Sequence, residues 1–199
     1  MSGPTIEFWF SIGSTYTYLT AMRLEEVAKS SSVEVCWRPF SVRAIMVEQK
    51  NIPFMGKPVK MAYMWRDIER RAEAYGFPAR VPAPYPLAEF DRANRVAIVA
   101  NEEGWAPAYV RESYRRWFQE GEEPGLEPNL RSALAAIGQD PDRELAKASS
   151  EAVGRAYLAA TDEAKRLNVF GSPSFVVSGE VFWGDDRLED AIRWAKRPG

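Results

Sequence analysis

Apolar residues form short continuous runs near both ends of the chain and recur at helical spacing between them. Thr5–Phe10 is a short apolar run. Gly13 and the small hydroxyl residues beside it interrupt that run before an amphipathic pattern begins. The pattern predicts a buried strand, a tight turn and a helix over Tyr16–Ser30, with Leu19, Met22 and Val27 on one face. Val33–Arg38 alternates as a second strand, closed by Pro39. A crossover this long makes strand–helix–strand a parallel, right-handed unit.

From about Val42 to Ser149 the pattern turns helical. It predicts helices over Met61–Tyr75, Leu87–Glu103, Pro107–Glu120, Asn129–Ile137 and Asp142–Ser149, punctuated by Gly76, Gly104 and Gly121. Arg80–Pro86, with three prolines, and Gly121–Pro128 read as loops, and Asp140-Pro141 as a helix cap and first turn. Glu151–Leu167 is a further amphipathic helix. Strands over Ser174–Ser178 and Glu180–Trp183, joined at Ser178-Gly179, precede a terminal helix over Arg187–Arg197. Strands at the two ends with helices between them fit no simple doubly wound sheet. They predict an α/β chain: a thioredoxin-like fold over residues 1–41 and 150–199, interrupted by an inserted all-helical subdomain over 42–149.

Composition narrows the chemistry. Apolar residues make up 46% of the 199 positions, enough for a substantial core, and the net charge of −2 carries no electrostatic footprint for nucleic acid. No run approaches the roughly 20 apolar residues of a membrane span. Met1–Thr5 has neither the basic cluster nor the apolar segment of an export signal, so a soluble cytoplasmic protein is expected. Histidine is absent, which removes the usual general base, the Ser/His/Asp triad and most zinc sites; no metal site is expected. Cys36 is the only cysteine, so neither a CxxC centre nor an internal disulfide can form. It falls in the second strand, where a buried inert thiol is expected. Any thiol chemistry must bring its thiol from outside.

Four places carry candidate chemistry. Ser14 stands at or next to the first helix's N-cap, where free N–H groups favour an anion; its hydroxyl either caps the helix or donates to a bound thiolate. Ser172-Pro173 enters a strand and is a plausible cis bond. That geometry would offer the Ser172 N–H and C=O to a peptide-like ligand, the ordinary alternative being a trans turn. Asp185 and Asp186 open the last helix, as simple caps or as receptors for an ammonium group beside Gly184. Asn51, Lys60 and Asp67 read singly as a loop polar residue and solvated helix charges. Phe8, Trp9, Trp65, Trp105, Trp117 and Trp183 are expected in the core.

Taken in order, these pieces resemble the 2-hydroxychromene-2-carboxylate isomerases and kappa-class glutathione transferases, relatives of DsbA-type oxidoreductases. The resemblance rests on Ser14-Thr15-Tyr16-Thr17-Tyr18-Leu19, Arg38-Pro39 and Asn51-Ile52-Pro53, on Lys60, Tyr63, Met64 and Asp67, and on Phe170-Gly171-Ser172-Pro173 and Phe182–Leu188. It implies glutathione as cofactor, with Ser14 bonded to its sulfur and Ser172, before a cis Pro173, paired with the cysteinyl backbone. Asp185 and Asp186 would hold the γ-glutamyl end, and Asn51 and Lys60 would lie near the sulfur or the second substrate. It further implies a homodimer, in which Asp67 reaches the neighbouring subunit. The implied reaction is isomerisation of an unsaturated aromatic acid, the glutathione thiolate adding reversibly so that ring opening and cis/trans isomerisation can occur. Lys60, or an arginine of the inserted segment, would hold the substrate carboxylate, and Tyr16 or Tyr18 would donate to an enol oxygen or be buried. A kappa-type transferase and a non-catalytic glutathione-binding or thioredoxin-like module are the alternatives. Two positions depart from the family pattern: Thr15 replaces a proline and Ser11 an acidic residue, and the Thr15 hydroxyl would compete for the sulfur or help bind it.

Overall fold

In the computed structural model, which describes residues 3–54 and 56–197, the first apolar run forms β1 (Thr5–Phe10). β2 (Glu34–Pro39) runs parallel to it, with Phe8 opposite Trp37. The hairpin of β3 (Ser174–Val177) and β4 (Glu180–Trp183) adds antiparallel to the other edge of β1, with Phe8 opposite Phe175. The order is β2-β1-β3-β4, so strands from the two ends of the chain meet at the centre of the sheet.

Alternation along β1 sends side chains to two different cores. Ile6, Phe8 and Phe10 face α1 (Thr17–Ser31) and join Tyr18, Leu19, Leu24, Trp37 and Phe175. Phe8 stacks on Phe175 with ring centroids 5.6 Å apart. Trp9 points the other way and, with Val176, packs against Phe40, Val42 and Ile45 of α2 (Val42–Glu48) and Ala164 of α8 (Glu151–Arg166). The first core continues without a break into α3 (Pro58–Tyr75), α4 (Asp91–Glu103), α5 (Ala106–Arg115), α6 (Glu127–Ala136) and α7 (Pro141–Ala148). After α5 a π turn over Arg116–Glu120 drives Trp117 and Phe118 fully inside. A one-turn 3₁₀ segment, Asp185–Arg187, leads into α9 (Leu188–Ala195).

The helix ends follow local chemistry. Asp140 and Ser150 cap α7 and α8 through their side chains, and Gly76 ends α3 with φ +82, a conformation costly for any residue with a Cβ. The long loop from Gly76 to Phe90 contains cis bonds at Val81-Pro82 and Tyr85-Pro86. Side chains and backbone tie it down: Trp117 Nε1 donates to the Pro84 carbonyl at 2.8 Å, and Arg80 N–H to that of Phe118 at 2.6 Å.

Several expectations change. α2 is an additional short helix, capped by Ser41. The helix expected from Leu87 begins only at Asp91, because Leu87 and Phe90 close over the turn after β1 instead. The expected Pro107–Glu120 helix divides at the π turn. Cys36 is exposed rather than buried, since β2 is an edge strand and Glu34, Cys36 and Arg38 share its solvent face. Trp183 is 55% exposed, lying across Gly171 at the sheet edge rather than in the core. Phe8, Trp9 and Trp117 are buried, and Trp65 and Trp105 are partly so.

Two buried polar ties hold the helical region to the sheet. Asn94 of α4 accepts the Ile12 N–H at 2.7 Å and donates to the Ile12 and Phe90 carbonyls, each at 2.8 Å. Asp185, whose side chain is 1% exposed, accepts from Thr20 and Arg23 of α1 and from Arg71 and Tyr75 of α3. Asn94→Ala leaves buried Ile12 groups unpaired and is expected to cost about 2–3 kcal/mol. Asp185→Ala leaves Arg71 without its carboxylate and Arg23 with Glu189 alone, and is expected to cost roughly 3–5 kcal/mol. Urea unfolding monitored by circular dichroism checks both; a loss under about 1 kcal/mol for either would show that the tie is dispensable.

Candidate active site

The turn after β1 is short because the chain must reverse at once into α1. Ser14 N–H closes it by bonding the Ser11 carbonyl at 3.0 Å. Gly13 sits at φ +121, and a Cβ there would lie 3.1 Å from Phe90 and 3.2 Å from Leu87, so the position needs glycine on both counts. Tyr114 lies fully buried beneath, its hydroxyl 3.0 Å from the carbonyls of both Ser11 and Ser14. Burial pushes that phenol well above its usual range, so it stays a proton donor.

Ser14 is not the cap of α1. The cap is Tyr16, without a side-chain bond, and the Ser14 hydroxyl instead donates to the Ser172 carbonyl at 2.5 Å. The Ser172 hydroxyl in turn accepts from Ser11 N–H at 2.9 Å and lies 2.8 Å from Thr17 Oγ1. The Ser172-Pro173 bond is cis. Among the described residues, Ser172 N–H and the N–H groups of Thr15 and Tyr16 make no hydrogen bond.

Ser14 and Ser172 face a cavity of about 400 Å³. α2 supplies one wall through Val42, Arg43 and Met46, the Asn51–Phe54 loop and Lys60 a second, and Tyr85 with Phe90 a third; Phe170, Gly171 and Trp183 form the rim. Phe170 meets Trp183 edge-on at 4.9 Å, and a Cβ at Gly171 would lie 2.3 Å from the Trp183 indole nitrogen. Tyr16 also lines the cavity and donates from its hydroxyl to Asp67 at 3.0 Å. Burial, with the Asp67 carboxylate next, holds its pKa far above a free phenol.

The sequence-derived candidates therefore divide. Ser14, Thr15, Tyr16, Asn51, Lys60 and Ser172 come together on the cavity, from four separate stretches of chain. The Thr15 hydroxyl is engaged with the Met64 sulfur at 3.0 Å and is buried. Ser11 is buried too, its carbonyl taken by Ser14 and Tyr114. Pro173 lies behind Ser172 and is buried, off the cavity wall. Asp185 is enclosed by the network already described. Asp186 is half-exposed and pairs with Arg187 at 2.8 Å, which draws its pKa below the usual carboxylate range. Arg43, Phe90, Asn94 and Tyr114 escape a sequence reading because each lies inside a segment of ordinary helical or loop pattern. Only tertiary contact brings them to the turn.

The chain as a whole has relatives among known proteins. The chain is 29% identical to the 2-hydroxychromene-2-carboxylate isomerase of Sphingobium xenophagum, over 93% of its own length and 94% of the relative's. It is 24% identical to glutathione S-transferase kappa 1 of Caenorhabditis elegans, over 93% and 88% of the two chains. A solved 2-hydroxychromene-2-carboxylate isomerase superposes with a TM-score of 0.84 at 27% identity, covering 96% of this chain and 95% of that one. The DSBA-like thioredoxin domain family matches residues 5–192, and the chain belongs to that family.

Proposed function

We propose that the protein is a glutathione-dependent isomerase of the 2-hydroxychromene-2-carboxylate type, acting on a small unsaturated aromatic acid. The observation that carries this reading is the hydrogen bond from Ser14 to the Ser172 carbonyl on the wall of an apolar cavity. A peptide-like ligand laid along Ser172 would offer an N–H to that carbonyl and a carbonyl to the unpaired Ser172 N–H, as an added strand does. The Ser14 proton would then be released to a sulfur placed beside it, one hydrogen bond exchanged for another. The residues present fit glutathione in this respect, and the relatives' names point to the same chemistry.

Bound glutathione supplies a thiol nucleophile that adds reversibly to an electron-poor carbon. A free thiol ionises near pKa ~8.5, leaving only a few per cent thiolate at neutrality. The chain's contribution is to raise that fraction without histidine. Ser14 donates to the charge, and the unpaired N–H groups of Thr15 and Tyr16 present the positive end of α1 to the same region. Tyr16, kept protonated by burial and Asp67, gives its one O–H proton to that carboxylate and presents only its ring and hydroxyl lone pairs to the cavity. Tyr85, Phe90 and Phe54 offer aromatic faces to a planar substrate. Cytoplasmic residence and a homodimer belong to the same proposal.

Ser14→Ala is expected to lower kcat about a hundredfold, the usual effect of removing one donor from a developing charge, with glutathione affinity changed less than about threefold. An unchanged kcat would remove Ser14 from this role. Turnover is expected to vanish in thiol-free buffer and return on adding glutathione, with the tripeptide recovered intact. Its consumption in proportion to product would instead mark a kappa-type transferase, and undiminished turnover without it would defeat the cofactor assignment.

A further inference from the structure

The cavity has a charge pattern that the nucleophile site does not explain. Among the described residues its wall carries two cations, Arg43 and Lys60, and no carboxylate, although the whole chain is net acidic. Arg43 makes no hydrogen bond or ion pair among the described residues. The three arginines of α3, none of which lines the cavity, are all paired: Arg66 with Glu69, Arg70 with Asp67 and Arg71 with Asp185. The Arg43 guanidinium lies over the Phe90 ring, 4.4 Å from its centroid. Phe90 is pressed against Gly13, so Arg43 stands one aromatic ring away from the turn that carries Ser14.

We infer that Arg43 is the specificity-determining residue for the second substrate: it receives the carboxylate of an aryl-conjugated acid whose ring lies among Phe54, Tyr85 and Phe90. This rests on reading the cavity as the co-substrate site. A half-buried guanidinium stacked on an aromatic face keeps its planar donor fork aimed and is weakly hydrated, which suits two-point recognition of a carboxylate. Lys60 is the rival cation, but it is exposed, stands in the first turn of α3, and holds its ammonium 5.7 Å from the Phe54 centroid on a flexible stem. An ammonium so placed is a point charge without the planar fork that matches a carboxylate at two points. The ring sequence Phe54–Tyr85, edge to face at 6.1 Å, continues the apolar wall beyond the guanidinium and gives the arene a place to lie.

The test is direct binding, without glutathione and without turnover. Calorimetric titration with cinnamate and with its neutral amide, cinnamamide, is expected to show the acid bound more tightly by the native protein. Arg43→Gln should weaken cinnamate about tenfold and leave cinnamamide within about twofold, with Arg43→Lys intermediate and Lys60→Gln close to native. The inference is overturned if the native protein does not prefer the acid, if Arg43→Gln weakens both probes alike or neither, or if Lys60→Gln takes the loss. Titration of the native protein with glutathione reports separately on the cofactor reading. A failure there leaves the result for Arg43 standing.

Discussion

The Ser172 side chain and carbonyl join parts of the chain that are about 160 residues apart in sequence, and the site depends on that junction. Its hydroxyl satisfies Ser11 N–H and meets Thr17 Oγ1, while its carbonyl takes the Ser14 proton. The donor turn after β1 is therefore not held by its own local bonds alone. It is clamped from across the sheet, by the segment that leads into β3, the strand antiparallel to β1. Tyr114 and Asn94 complete the clamp from below, each offering buried polar atoms to backbone groups of the turn. A site whose polar groups are prepaid in this way loses little further order on binding.

The strands and the βαβ…ββα order were legible because period-two alternation and short apolar runs are strong local signals, and β1 and β4 fall where they were read. Helix ends marked by glycine were legible for the same reason: Gly76 and Gly104 stop α3 and α4. Where tertiary packing overrides pattern, the reading failed. Leu87–Phe90 has a helical pattern but spends its apolar side chains covering Gly13, and the 116–120 segment widens to place Trp117 and Phe118 inside. Cys36 and Trp183 show the converse error. Their residue types suggest burial, but edge strands leave half their side chains outside.

Much the same holds for the site. Ser14 and Ser172 could be singled out by position, at a strand-to-helix turn and before a proline, although capping and an ordinary turn were equally open to them until the fold placed them face to face. Arg43 could not, since an arginine in the first turn of a short helix is unremarkable until Phe90 is seen beneath it. The turn and the Ser172 bonds to it come from segments near the chain ends, with Asn94 and Tyr114 added from mid-chain, whereas the walls that would sense a second substrate come mainly from α2, the 51–54 loop and the 76–90 loop. Substitution in those walls can alter what is bound while leaving the clamp intact.

The two aspartates that open the last helical segment illustrate how burial decides what a charge can do. An ammonium approaching Asp185 would compete with Thr20, Arg23, Arg71 and Tyr75, and would have to enter a space that leaves 1% of the side chain exposed. Charge-assisted bonds at that depth are costly to break, because Arg71 is then left without its carboxylate and Arg23 with Glu189 alone. Asp186 is held only by a half-exposed arginine beside it, a pairing worth little in water. Of the two acids, Asp186 is the more exposed and the more weakly held, and Asp185 is the one whose charge is already used to bind α1 and α3 to the end of the sheet.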